Sequence, residues 1–159
     1  MIIRAITPAD VPAIHDFIVQ LATFEREPHM VKMTLEELHE ALFGAVPRAQ
    51  AIIVDSDEGE IGFAIFSESF NTWTGKPTLH VEDVFVNESA RGLGAGHLIF
   101  QYLAALTVSR GYHRMEWSVL NWNRPAIRFY ESIGATSMAE WTKYRLSGDA
   151  LHALAEKGI

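Results

Sequence analysis

Residues 84–98 read Val-Phe-Val-Asn-Glu-Ser-Ala-Arg-Gly-Leu-Gly-Ala-Gly-His-Leu, with glycine at 92, 94 and 96. Alternate glycines remove Cβ atoms from a turn, so several backbone N–H groups are free to point at one anion. A helix opening at that turn adds about half a positive charge, and Arg91 adds a full one. The chemistry this suits is binding of a phosphate or diphosphate. The plain alternative is that the glycines only build a tight connection. Two phosphate loops fail on sequence. A P-loop requires Gly-Lys-Ser or Gly-Lys-Thr, whereas His97 and Leu98 follow Gly96. A dinucleotide fingerprint counted from Gly92 and Gly94 needs a third glycine where His97 stands. Just before the loop, Glu82 and Asp83 are adjacent acids in a β-prone run, which is conspicuous in a strand.

The pattern around these residues predicts the elements that position them. Residues 1–5 form a short apolar run, and Thr7-Pro8-Ala9-Asp10 opens a helical series through Ile14, Phe17, Ile18, Leu21 and Phe24. Thr34 followed by Glu37 is a capping box for a second helix ending at Gly44. Residues 51–54 and 61–66 predict a hairpin about the Asp- and Gly-containing turn between them. Strand 78–86 is predicted to alternate, with Leu79, Val81, Asp83 and Phe85 on one face and His80, Glu82, Val84 and Val86 on the other. A helix over about 94–110, a strand over 114–119 and a helix opened by Asn123-Arg124-Pro125 and closed by Gly134 come next. Residues 135–146 predict a closing pair of short strands, with a frayed helix after Gly148. The order βααβββαβαββ predicts a mixed α/β sheet with helices on its faces, and a right-handed crossover makes strands 78–86 and 114–119 parallel.

At 159 residues, with no repeat or linker, the chain is expected to be one domain spanning 1–159. A hydrophobic share of 48% with 21% charged residues excludes a disordered chain. The absence of cysteine removes disulfides, thiolate zinc sites and a cysteine nucleophile, and makes a reducing cytoplasm the default location. Neither a secretory leader nor a membrane-spanning stretch is read in the sequence, so no membrane partner is expected. A net charge of −7 argues against a nucleic-acid partner and favours cationic ligands. Seven histidines occur, none in a His-x-x-x-His pair, and no metal is expected.

Arg91, Gly94 and Gly96 make the pattern Arg-x-x-Gly-x-Gly between a strand and a helix. Asn123, Ala126, Tyr130, Gly134 and Ala135 make a second, Asn-x-x-Ala-x-x-x-Tyr-x-x-x-Gly-Ala. In spacing and order the two motifs resemble the GNAT acetyltransferase superfamily. Leu21-Ala22-Thr23-Phe24-Glu25, Trp73-Thr74-Gly75-Lys76, the run 81–86, Trp122-Asn123-Arg124-Pro125 and Tyr144-Arg145-Leu146 narrow the resemblance to diamine acetyltransferases of the spermidine/spermine type. Phe24 and Tyr144 depart from that type, which commonly has tyrosine and tryptophan there.

The resemblance implies a single-domain α/β fold, mostly antiparallel, with a central parallel strand pair. It implies acetyl-CoA as co-substrate, held by Val84, Phe85, Val86, Arg91, Gly92, Leu93, Gly94, Ala95, Gly96, Asn123 and Ala126. The implied reaction is direct acetyl transfer to a small primary amine in a ternary complex, by an enzyme that is a homodimer. Tyr130 is the implied general acid, and Glu82 binds or deprotonates the amine. Glu25, Asp83, Trp73, Trp117 and Tyr144 are candidates for the amine pocket, since cations favour carboxylates and aromatic faces. An alkylammonium with a pKa of about 10.4 costs about 4 to 5 kcal/mol to deprotonate at pH 7, so some group must take that proton. Acetylation of a protein N-terminus or lysine, and a non-catalytic acyl-CoA-binding module, are the rival readings.

Overall fold

The Arg4 guanidinium ties the start of the chain together. It donates to both carboxylate oxygens of Asp10 at 2.9 Å, to Asp55 at 2.7 Å and to Glu60 at 2.8 Å. Its partners come from β2 (Gln50–Ser56), β3 (Gly59–Asn71) and the 3-10 turn Pro8–Asp10 that leads into α1 (Val11–Phe24); Arg4 itself lies on β1 (Ile2–Ala5). The computed structural model describes residues 1–156, which divide into two compact units, Met1–Ser118 and a second that begins at Val119.

In the first unit, β1, β2, β3, β4 (Lys76–Val86) and β5 (Met115–Trp117) form a sheet in that order. The first three junctions are antiparallel, and β4 and β5 run parallel, as the crossover through α3 (Ala95–Ser109) predicts. One face of the sheet is covered by α1 and α2 (Leu35–Phe43), where Ile14, Phe17, Leu38 and Leu42 bury against Ile53, Phe63, Ile65 and Phe85. The Phe17 and Phe63 rings stack at 5.4 Å. Thr34 caps α2 as its spacing predicts, accepting from Glu37 N at 3.1 Å while Glu37 accepts from Thr34 N at 2.8 Å. On the opposite face, Phe100 of α3 packs edge-on against Trp117 of β5 at 4.9 Å.

Strict alternation along β4 does not hold. Asp83 pairs with Ile65, but Val81 pairs with Phe66, so β4 carries one extra residue at Glu82. Directly opposed residues share a face, so Asp83 and Phe85 lie with Ile65 and Phe63 toward α1. Leu79 and Val81 lie on the other face. The reason is the β-bulge, which shifts the period-two pattern by one place.

In the second unit, α4 (Arg124–Ser132) opens at Asn123, whose Oδ1 accepts from Ala126 N at 3.3 Å, with Pro125 in the first turn. It closes at Gly134, where φ is +88°. The expected closing strands are not formed. Within residues 135–147 the chain makes a turn, Trp141 N donating to Met138 O at 3.1 Å, and is otherwise irregular. Residues 136–147 are all exposed, and β-prone residues hold a strand only where a neighbour and a covered face support it. The helix expected after Gly148 is α5 (Gly148–Glu156). Among the described residues, no helix is long and apolar enough to cross a membrane.

Candidate active site

The loop from β4 to α3 begins with a single 3-10 turn, Glu88–Ala90, and then turns sharply at Gly92 and Gly94, with φ of +79° and +93°. L-residues avoid that region, so both positions need glycine for the backbone path alone. A Cβ at either would meet nothing within 4 Å, so the space before the loop is open. The first α-helical bond is Leu98 N to Gly94 O at 3.0 Å. The N–H groups of Ala95, Gly96 and His97 therefore have no partner within the helix and carry its positive end. Leu93, between the two turning glycines, is exposed.

Arg91 completes this surface. Its Nε donates to Val86 O at 3.2 Å, and the guanidinium carbon lies 4.9 Å from the centre of the Phe24 ring and 5.6 Å from that of Phe85. The two rings and Val86 O hold a cation at the start of the glycine turn. This donor set fits a diphosphate: several neutral N–H groups, the end of a fifteen-residue helix and one guanidinium.

Beside the loop, the sheet opens. The parallel pairing sets Leu79, His80 and Val81 against Met115, Glu116 and Trp117 and stops there. Val84, Phe85 and Val86 continue along β3, opposite Ala64, Phe63 and Gly62. The bulge at Glu82 and the end of β5 thus leave the last turn of β4 with a main-chain edge outside the β4–β5 ladder, next to the glycine loop. N–H groups on such an edge can donate to an acyl carbonyl or an amide-rich chain.

Three acids gather at the same end of the α1-covered face. Glu25 caps the C-terminus of α1, its N–H bonded to Leu21 O at 2.9 Å. Burial, with the charges of Glu25 and Glu82 acting in the same direction, raises the Asp83 carboxyl to about 6. Burial also raises the Glu25 carboxyl. Glu82 projects more freely, with its Oε1 3.5 Å from His80 Nε2. Such a group attracts an organic cation, and attraction is strongest when Asp83 is ionised.

The other candidate residues are spread over several elements. Trp117 is on the α3 side of the sheet, opposite the face of Asp83, where it packs on Phe100. Trp73 is 85% exposed in the turn between β3 and β4, whose Asn71 Oδ1 accepts from Trp73 N and Thr74 N. Six residues of strand, about 20 Å, separate Lys76 from Glu82. In the second unit, Tyr130 is half-buried on α4 with its ring 5.5 Å from that of Phe129, and Tyr144 is 90% exposed in the irregular segment. The aromatic support of Arg91 was not legible beforehand. Phe24 reads as the last apolar residue of α1, and no spacing rule links it to residue 91.

The sequence pattern of the acetyltransferase (GNAT) family matches residues 13–135, from early in α1 through the glycine loop to the end of α4. The chain belongs to the GNAT acetyltransferase family. It is an acetyl-CoA-dependent acyltransferase. This acetyltransferase is 32% identical to the L-ornithine N5-acetyltransferase NATA1 of Arabidopsis thaliana, over 99% of the chain and 89% of the relative. It is 29% identical to the thialysine N-epsilon-acetyltransferase of Mus musculus, over 96% of each. Among solved structures, an integron cassette protein of V. cholerae superposes with a TM-score of 0.80 at 24% identity, covering 98% of this chain and 97% of the other. An aminoglycoside acetyltransferase from an uncultured soil sample superposes at 0.78 and 14% identity, covering 93% and 96%. At such identities the superpositions show the fold.

Proposed function

We propose that this acetyltransferase moves acetyl from acetyl-CoA to a primary amine of a small diamine, polyamine or lysine-like compound. The observation that carries this reading is the placement of three carboxylates, Glu25, Glu82 and Asp83, at the end of the strand that leads into the diphosphate-fitting loop. A cation drawn to the acids lies beside whatever the loop holds. The relatives named for ornithine and thialysine acetylation support an amine of that size.

In this reading Arg91 and the amides of residues 92–97 hold the diphosphate, with Asn123 and Ala126 as further coenzyme contacts. The main chain of Val84, Phe85 and Val86 lines the acyl arm and polarises its carbonyl. Glu82 binds the ammonium and passes on its proton, Asp83 and Glu25 supply the field, and Tyr130 protonates the departing sulfur. A phenol keeps its proton at neutral pH, with a reference pKa of about 10, and can give it to the sulfur as thiolate charge develops, a transfer uphill by only about 1.5 pKa units against a thiol near 8.5. With no cysteine in the sequence, transfer is direct, without a thioester on the enzyme. The whole chain works as one acetyltransferase domain, cytoplasmic and homodimeric. Thiol release from acetyl-CoA, measured with ornithine, thialysine, lysine, putrescine and spermidine, tests this reading. Release that depends on one of these amines is expected, and release with none of them overturns it.

A further inference from the structure

The amine must lose a proton before it attacks, and the carboxylates around it are poor acceptors. An alkylammonium is a weaker acid than a carboxylic acid by about six powers of ten, but weaker than an imidazolium by only about four. A carboxylate also holds the ammonium form in place by its charge. An imidazole within reach of the carboxylate removes the conflict, because the acid then binds and the base receives.

β4 holds such a pair. His80 Nε2 lies 3.5 Å from Glu82 Oε1, and the His80 side chain is 30% exposed against 57% for Glu82. Across the sheet His80 is in register with Ser67 of β3 and Glu116 of β5, and Glu116 is paired with Arg114 Nε at 2.9 Å. The charged groups facing His80 are therefore Glu82 on its own strand and, across the sheet, Glu116 of β5 with Arg114, the residue just before that strand. Glu25, the residue that caps α1, acts on Asp83.

We propose that His80 carries the substrate proton away, acting through Glu82 as a proton-relay residue. The proposal rests on the amine-acetylation reading. The ammonium N–H proton passes to Glu82 and on to His80 Nε2, leaving a nitrogen lone pair. That pair forms the N–C bond to the acetyl carbon, the C–S bond breaks, and the sulfur keeps its electron pair and takes the Tyr130 proton. The extra proton on the new amide nitrogen restores the Tyr130 phenol, and His80 releases its proton to water. The balance is ammonium plus thioester to amide, thiol and one proton.

An amine that is already neutral needs no relay, and this gives the test. The kcat/KM of wild type, His80→Gln and Glu82→Gln is measured at pH 8 with a diamine of ordinary basicity. It is then measured with a difluorinated diamine of the same length whose amine is largely neutral there. The relay predicts at least a tenfold loss for His80→Gln on the ordinary diamine, less than twofold on the fluorinated one, and unchanged coenzyme A affinity by calorimetry. The double variant should be no worse than Glu82→Gln alone. Equal losses on both diamines, or none, overturn the relay while leaving the transferase reading intact. Wild type inactive on every amine overturns that reading and the relay with it. If His80→Gln does not bind coenzyme A, His80→Asn is put through the same comparison.

Discussion

The Arg91 guanidinium sits 4.9 Å over the Phe24 ring, so the last residue of α1 supports the cation of the loop that opens α3. Glu25 follows Phe24 directly, and its charge acts on Asp83. The diphosphate loop and the acidic group therefore share one short stretch at the end of α1. Phe24→Leu keeps an apolar side chain and removes the aromatic face, which is worth about 1 kcal/mol to a partly exposed cation. Coenzyme A should bind about fivefold more weakly by calorimetry, with no further loss when Arg91 is already alanine. Equal losses in both backgrounds would separate Phe24 from Arg91.

Asp83 gives the amine site a pH dependence. Its carboxyl is raised to about 6, so it is largely ionised at pH 7.5 and protonated at pH 5. The KM for the amine should climb as pH falls through 6, and Asp83→Asn should flatten that rise while raising KM at pH 7.5. A raised acid pKa also means that the folded state favours the protonated form. That contribution to stability is present below the unfolded value near 4 and is lost as pH rises through 6. Asp83→Asn should accordingly be more stable than wild type at pH 7.5, by about 1–2 kcal/mol, and no more stable at pH 4. Urea unfolding at both values checks the sign.

Asp10 works the other way. The Arg4 hydrogen bonds, against the opposing effect of burial, lower its carboxyl to about 2. The stability it contributes is complete above the unfolded value near 4 and is lost as pH falls through 2. Arg4→Met should destabilise the fold by about 2 kcal/mol or more at neutral pH, since Asp10, Asp55 and Glu60 lose their shared cation. Turnover per folded molecule should be unchanged. A neutral-pH unfolding midpoint equal to wild type would contradict the network's role.

Most of the fold was legible because its signals are local. Thr34 with Glu37, Asn123 with Pro125, and glycine at 44, 94 and 134 mark helix ends that form where the spacing places them. The bulge at Glu82 was not legible, because it is a mismatch between two strands and neither strand encodes it alone. It puts Asp83 on the face opposite Val81 and Trp117. Residues 135–146 failed as strands for a related reason: β propensity does not name a partner. The site motifs were legible as residue types, whereas the Phe24–Arg91 contact comes from tertiary packing.

Tyr130→Phe removes one oxygen and leaves the ring on α4. Turnover should fall by about a hundredfold or more, the usual contribution of a positioned general acid, with little change in coenzyme A affinity. An unchanged kcat would remove Tyr130 from the reaction.

Calorimetric titration of the full chain with desulfo-coenzyme A, alongside Arg91→Ala and Gly94→Val, is the most direct measurement. Gly94→Val forces a β-branched residue into φ of +93° at the head of α3. One molecule should bind per chain, with affinity lower by at least tenfold in each variant. No heat with wild type, or equal affinity in all three proteins, would contradict the assignment of this loop as the coenzyme's diphosphate site.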